Sequence, residues 1–117
     1  MKLEEGMYVR FDWKKQQIPI LIGKITEVHY DEDEKYYFYL TDNGLVIGED
    51  NLVKEPSHNI IDLIEVGDYV NGYKVYYCYC ADEDMTGLFI DTETKRVWLD
   101  KPSQIKSIVT KEQFESM

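Results

Sequence analysis

The chain has few residues of the kinds that most enzymes and metal sites require. Its two histidines, His29 and His58, have no local spacing that sets either beside a nucleophile and an acid. Its two cysteines, Cys78 and Cys80, are two residues apart in an aromatic stretch, which suits neither an ordinary disulfide nor the paired ligands of structural zinc. We therefore expect reduced thiols, no catalytic constellation, no metal and no cofactor.

Basic residues and long apolar runs are also scarce. Thirteen lysines and arginines stand against 23 acidic residues, so the net charge is -10 at pH 7. Because this charge repels a phosphate backbone, nucleic acid is not expected as a direct partner, and a basic protein is the natural complement. Solubility is the alternative explanation of the acidity.

The chain offers no candidate for membrane insertion or secretion. The densest early apolar run, Ile18–Ile22, contains Pro19 and is far too short to span a bilayer. Residues 1–5 lack the basic and apolar blocks of a signal peptide. We therefore expect a cytoplasmic protein.

One phrase occurs twice. Residues 3–9 (LEEGMYV) and 64–70 (IEVGDYV) share an apolar residue, Glu, Gly, Tyr and Val at an offset of 61. Farther along the offset is 51 for three matching pairs: Phe38 and Phe89, Thr41 and Thr92, and Val46 and Val97. The first copy therefore has about ten extra residues, in a loop around Trp13. The second copy has Asn71-Gly72 there, a dipeptide that favours a two-residue hairpin turn.

Short branched and aromatic segments after each phrase predict strands. They are Leu21–Tyr30, Lys35–Leu40, Leu45–Ile47 and Asn51–Lys54 in the first copy, and Tyr73–Cys80, Thr86–Asp91, Arg96–Leu99 and Ile105–Val109 in the second. About five strands per copy predict an all-β fold of two tandem SH3-like five-stranded small barrels packed together. Pro56 separates the modules, residues 1–56 and 57–117.

Two segments predict helical turns in the second module. Ile60–Ile64 has apolar residues on both sides of one acid, so we expect a short helical turn or strand lying across the two modules. Thr110 and Gln113 fit a capping box, which predicts a helical turn at the C-terminus.

Both copies place an acidic cluster at the equivalent hairpin connection. We call residues 31–34 the first acidic tip and residues 82–84 the second. Tyrosines flanked by acids are typical of interfaces that dock a basic partner. The predicted partner-binding residues are Asp31, Glu32, Asp33, Glu34, Asp82, Glu83, Asp84, Trp13, Tyr37 and Tyr39. Solvated hairpin tips, and tyrosines packed within the barrels, are the alternatives.

Two stretches, residues 57–75 (SHNIIDLIEVGDYVNGYKV) and 105–117 (IKSIVTKEQFESM), resemble small uncharacterised proteins of phages and prophages of Gram-positive bacteria. The resemblance covers about half of the chain, chiefly the second module, and includes no known catalytic residues. The first module departs from it in the Trp13 loop and the tyrosine-rich strand. The resemblance implies a mobile-element origin in a bacterial host, where small acidic phage proteins frequently inhibit defence by occupying a nucleic-acid site.

We therefore expect a non-enzymatic inhibitor whose acidic tips imitate phosphates in the basic groove of a host effector. A DNA-mimicking anti-CRISPR that blocks a CRISPR effector is the sharpest form of this hypothesis. One alternative is a phage adaptor that holds another phage or host protein through its SH3-like modules. A small hydrolase or nucleotide-handling enzyme is a third, and it requires a pocket with converging polar groups.

Overall fold

A computed structural model describes residues 3–13, 18–82 and 85–116, apart from the side chains of residues 80–82 and 85. The chain divides into two compact units, Met1–His58 and Asn59–Met117. Strands dominate both units and a short α-helix lies near the C-terminus, so the predicted mainly β class with a terminal helical turn is confirmed. Within the described ranges, no helix has the length and apolarity needed to cross a membrane.

The first unit contains a four-stranded antiparallel sheet whose strands are paired in chain order. Its strands are β1 (Tyr8–Phe11), β2 (Leu21–Asp31), β3 (Tyr36–Thr41) and β4 (Val46–Ile47). Apolar side chains from all four strands point inward and are removed from water. The buried cluster consists of Leu3, Val9, Phe11, Ile25, Tyr39 and Ile47.

The segment after β4 differs from the strand predicted over Asn51–Lys54. Glu49–Asn51 forms a 3-10 turn instead, and the Asn51 amide oxygen accepts a hydrogen bond from the Gly48 N–H at 2.9 Å. This local side-chain contact competes with strand pairing. The chain then returns to β1 through two isolated bridges, Phe11 with Leu52 and Tyr8 with Ser57.

The second unit contains a five-stranded sheet of β5 (Tyr69–Val70), β6 (Tyr73–Asp82), β7 (Met85–Asp91), β8 (Arg96–Leu99) and β9 (Ile108–Val109). The strands are arranged in the order β8-β7-β6-β5-β9. Another 3-10 turn, Pro102–Gln104, precedes β9, which pairs with β5. Among the described side chains of this unit, the buried apolar residues are Ile61, Leu63, Ile64, Val70, Val75, Leu88, Ile90 and Leu99.

Both predicted helical turns are present. Ile60–Leu63 is a 3-10 helix that approaches β7 of its own unit. α1 spans Lys111–Glu115, and its N-cap is Thr110. The Thr110 hydroxyl accepts from the Gln113 N–H at 3.1 Å, while the Gln113 side-chain oxygen accepts from the Thr110 N–H at 3.0 Å. This is the reciprocal pattern of a capping box.

The turns confirm the insertion in the first copy. Residues 12–20 connect β1 with β2, whereas Asn71 and Gly72 alone connect β5 with β6, with φ of 55° and 85°. Both angles lie in the left-handed region, as a type I′ hairpin turn requires.

The predicted equivalence of Val46 and Val97 is wrong, because Ile47 takes the position in the first sheet that Val97 takes in the second. Ile47 lies opposite Tyr39 in the first sheet, and Val97 lies opposite Ile90 in the second. The β3–β4 turn has one more residue than the β7–β8 turn. The Thr41 N–H donates to the Leu45 carbonyl four residues later, whereas the Thr92 N–H donates to the Lys95 carbonyl three residues later. The offset therefore shortens by one residue after the turn.

Candidate functional site

The first acidic tip, residues 31–34, is a hairpin connection with a defined backbone. The half-buried Asp31 carboxylate accepts hydrogen bonds from the N–H groups of Asp33 at 3.0 Å and Glu34 at 3.1 Å. The Lys35 N–H donates to the Asp31 carbonyl at 2.7 Å, and Lys35 takes a positive φ of 59°. Asp31 thus shapes the tip.

The other three acids of this tip face water. Glu32, Asp33 and Glu34 are all exposed. Because Asp31 binds the backbone of the tip, these three carboxylates project from a connection with restricted conformation. These are the carboxylates of the first acidic tip that are accessible to a partner.

The second acidic tip lies mostly outside the described residues. Asp82 ends β6 and its backbone lies opposite Met85. The Asp82 side chain, together with Glu83 and Asp84, falls outside the described part of the chain. A partner-binding role for these three acids stays a prediction.

Trp13 is held against the body of the first unit. Its indole N–H donates to the Val46 carbonyl at 2.9 Å, and its half-buried ring packs against the core cluster. The preceding residue is fixed as well, because the Asp12 N–H donates to the Asn51 carbonyl at 2.8 Å and the Asn51 amide donates to the Asp12 carbonyl at 3.0 Å. Two contacts therefore place the start of the inserted loop beside the 3-10 turn.

These elements border an open groove with a volume of about 1160 Å³, which we call the first-unit groove. Its lining includes Trp13, Asp31, Tyr36, Tyr37, Glu49 and Asp50. Three predicted partner-binding residues, Trp13, Asp31 and Tyr37, are thus brought to one site.

Sequence reasoning missed the Glu49–Asn51 side of the groove. The predicted strand Asn51–Lys54 begins at Asn51, and neither of the two acids before it belongs to the predicted partner-binding set. Their signal is the run Gly48-Glu49-Asp50-Asn51, in which a glycine, two acids and an asparagine favour a turn over a strand. The Asp50 carboxylate lies close to Gly48, where a Cβ would be 2.9 Å from its oxygen.

The predicted tyrosines have different environments. Tyr37 is exposed and its ring lies 4.8 Å from that of Tyr30. Tyr39 is 0% exposed in the core, so its assignment to the partner-binding set is wrong. Burial raises the pKa of the Tyr39 hydroxyl above its usual value, and nearby Glu49 raises it further, while a hydrogen bond from the Leu3 amide opposes the shift.

The second unit has an aromatic surface of its own. A shallow hollow with a volume of about 360 Å³ is lined by Tyr76, Tyr77, Tyr79, Phe89 and Arg96, and we call it the second-unit hollow. A register shift in β6 between Val75 and Tyr77 accompanies the placement of two consecutive tyrosines at this hollow.

The Arg96 guanidinium is held within the second-unit hollow. Its central carbon lies 3.7 Å from the Tyr76 ring centroid, and its Nε donates to the Asp91 carboxylate at 3.0 Å. The Arg96 cation therefore contacts an aromatic face and a carboxylate at the same time.

Of the two cysteines predicted to be reduced thiols, only Cys78 has a described side chain. The Cys78 thiol is half-buried and donates to the Ile64 carbonyl at 3.6 Å, whereas the Cys80 side chain lies outside the description. Over the described ranges, no group of three His, Cys, Asp or Glu side chains is arranged to hold a metal ion.

Comparisons of this chain with protein-family models, with curated proteins and with solved structures find no match.

Proposed function

We propose that this protein is a non-enzymatic, phage-encoded inhibitor that binds the basic surface of a host protein through its first unit. The observation that carries the proposal is the proximity of two features. The exposed carboxylates of Glu32, Asp33 and Glu34 project from a hairpin whose base, at Asp31, also lines the aromatic first-unit groove. Charge would set encounter rate and register, and the rings would supply buried contact area.

The proposed partner surface is a nucleic-acid site. Consecutive carboxylates on a backbone of restricted conformation offer a basic groove some of the negative charge that phosphates offer. The net charge of -10 adds long-range attraction to such a groove. With the resemblance of residues 57–75 and 105–117 to phage proteins, this supports a DNA-mimicking anti-CRISPR acting in the cytoplasm of the host bacterial cell.

We further propose that each unit is an SH3-like barrel. Both units run through four antiparallel strands, then a 3-10 turn, and then a segment that returns to the first strand. The return is made by β9 in the second unit and by the bridges at Leu52 and Ser57 in the first. Pairing the last segment with the first strand reduces the exposed edges of a small sheet.

The test is competition for nucleic acid. Purified protein is added to each of a panel of CRISPR effector nucleases, and binding of labelled guide RNA, binding of target DNA and DNA cleavage are measured. We expect inhibition of at least one effector, relief by excess guide or target, and weaker binding as salt rises from about 0.05 to 0.2 M. Unchanged nucleic-acid binding and cleavage in every effector would remove the main support.

A phage adaptor is the second candidate, and the second-unit hollow favours it. Its aromatic residues form a surface of the kind that docks peptides or another protein. Pull-down from phage-infected cells separates the two functions. Capture dominated by phage proteins, unaffected by salt and by charge reversal at residues 32–34 and 82–84, would select the adaptor.

A further inference from the structure

The first-unit groove combines aromatic rings with carboxylates. Trp13, Tyr36 and Tyr37 line it together with the acids Asp31, Glu49 and Asp50. Tyr36 is 50% exposed and Tyr37 is 37% exposed, so these side chains are accessible in the first unit. Rings attract cations through their faces, and the acids add direct Coulomb attraction.

The charge balance of the lining favours a cationic occupant. Among the described residues of the lining, the acids Asp31, Glu49 and Asp50 face one cation, Lys35. Asp31 accepts two backbone N–H groups, and Glu49 and Asp50 add two further carboxylates to the lining. Both lie in the 3-10 turn and both are exposed.

The walls have fixed positions before any partner binds. The indole hydrogen bond to Val46 orients Trp13, and the paired contacts of Asn51 with Asp12 tie the loop to the acidic turn. Pre-positioned walls lower the ordering cost of binding, which favours recognition of a short segment.

The second unit contains an arginine that contacts both an aromatic ring and a carboxylate of the same chain. Arg96 lies over the Tyr76 ring at 3.7 Å while Asp91 accepts from its Nε at 3.0 Å. A guanidinium suits this combination because its plane stacks on a ring while its edge donates to a carboxylate. An ammonium is a point charge with a tighter hydration shell, and it cannot do both equally well.

We propose that the first-unit groove binds an arginine side chain of an extended basic segment, stacked on the aromatic wall and paired with Glu49 and Asp50. This rests on the proposed function in that it gives the basic partner a defined contact. The groove volume of about 1160 Å³ exceeds the space of one side chain, so residues flanking the arginine also enter.

The test is an NMR titration of the full chain with three synthetic peptides of identical sequence. They differ at one central position, which is arginine, lysine or citrulline, the neutral analogue of arginine. The chain has two tryptophans, so Trp98 in the second unit is an internal reference for the Trp13 indole signal. A Trp13→Phe variant assigns that signal.

We expect the arginine peptide to shift the Trp13 indole and the amides of residues 36–38 and 48–51, and to leave Trp98 unmoved. Citrulline should bind at least about tenfold more weakly, because it keeps the shape but loses the charge. Lysine should fall between them. Equal binding of arginine and citrulline, or no shift at the groove, would overturn the proposal.

Charge-neutral variants of near-identical shape locate the contact. The pair Glu49→Gln and Asp50→Asn should weaken arginine-peptide binding by about tenfold. Glu55→Gln and Glu93→Gln make the same charge change at exposed positions outside the groove and should leave binding unchanged. If both pairs weaken binding equally, the net charge and not the groove is responsible.

The peptide titration and the effector assays can succeed or fail independently of each other. If the arginine peptide fails while effectors are still inhibited, the groove assignment is wrong and the inhibitor function stands. If the peptide binds the groove with arginine selectivity while no effector is inhibited, the groove stands and the proposed function fails.

Discussion

The two units begin in the same way. Gly6 and Gly67 take positive φ of 87° and 98°, in the left-handed region that favours glycine. Each glycine N–H donates to a strand carbonyl of its own unit, Ile25 at 2.8 Å and Val75 at 3.1 Å. The repeated phrase therefore forms the same backbone turn in both units, and this turn brings the start of each unit to its second strand.

The repeat extends to a side-chain contact that the phrase alone does not show. Glu4 lies 3.1 Å from His58, and Glu65 lies 3.0 Å from Lys111. In both units, the glutamate two residues before the glycine contacts a basic residue near the end of that unit. These pairs are exposed or half-buried, so each contributes little stability.

The two units differ in packing at the residue after the glycine. Met7 occupies that position in the first unit, and Asp68, which is 0% exposed, occupies it in the second. The Asp68 carboxylate accepts from the Glu65 N–H at 2.7 Å and from the Lys111 N–H at 2.9 Å, which joins the start of α1 to the phrase. The second unit thus anchors a terminal helix, whereas the first has an inserted loop and a groove.

The largest expected effect is at this position. Asp68→Ala removes a fully buried carboxylate and leaves two part-buried N–H groups without their acceptor, so we expect the free energy of unfolding to fall by about 3 kcal/mol. Met7→Ala removes half-buried apolar area and should cost about 1 to 2 kcal/mol. Urea unfolding followed by circular dichroism measures both. Equal losses would mean that Asp68 does not hold the second unit together.

The next effect concerns the packing on Gly87. A Cβ there would lie 2.4 Å from the Trp98 ring and 2.9 Å from the Leu99 carbonyl. Gly87→Ala should therefore destabilise by about 2 kcal/mol. Gly44→Ala, at φ 81° in the open first-unit turn, should cost about 1 kcal/mol through backbone strain.

A double-variant cycle checks the cause at Gly87. Trp98→Leu removes most of the ring that the new methyl group meets, so Gly87→Ala should cost less in that background than in the natural chain. Thermal unfolding of the four proteins gives the coupling. Additive costs would show that the ring is not the obstacle.

A smaller effect is expected at the capping box. Thr110→Ala removes the hydroxyl that accepts from the Gln113 N–H and should cost about 1 kcal/mol. Thr110→Ser retains the hydroxyl and should recover most of the loss. Hydrogen exchange of the α1 amides reports the change locally. Full protection of those amides in Thr110→Ala would contradict the capping role.

The smallest effect is a pH dependence in the first core. The pKa of Tyr39 is raised in the folded state, so its hydroxyl favours folding while protonated, and this contribution is lost as pH rises above the ordinary tyrosine value near 10. Tyr39→Phe should unfold with a shallower pH dependence above about pH 10. Tyr36→Phe makes the same change at an exposed ring. Identical alkaline profiles for all three proteins would contradict this account.

Local signals predicted the local features of the fold. Asn71-Gly72 predicted its turn because its tolerance of positive φ is a property of those two residues. Thr110 and Gln113 predicted the start of α1 because a capping box lies within four positions. The β class followed from branched and aromatic residues dense enough to pair and bury a face.

Features that depend on distant residues were not predictable. All four residues of Tyr36–Tyr39 are aromatic, so alternation could not show which ring enters the core, and Tyr39 was misassigned. The first-unit groove joins Trp13 to a turn more than thirty residues later in the chain, through the contacts of Val46 and Asn51. No local pattern connects these segments.

Charge reversal tests most directly the claim that the first unit presents its acidic tip to a basic nucleic-acid site. The variant Glu32→Lys, Asp33→Lys, Glu34→Lys is compared with Glu55→Lys, Glu93→Lys, Glu115→Lys, which changes the net charge equally at other exposed positions. The readout is displacement of labelled nucleic acid from an inhibited effector. We predict at least about a tenfold loss for the tip variant relative to the control. Equal losses in the two variants would contradict the claim.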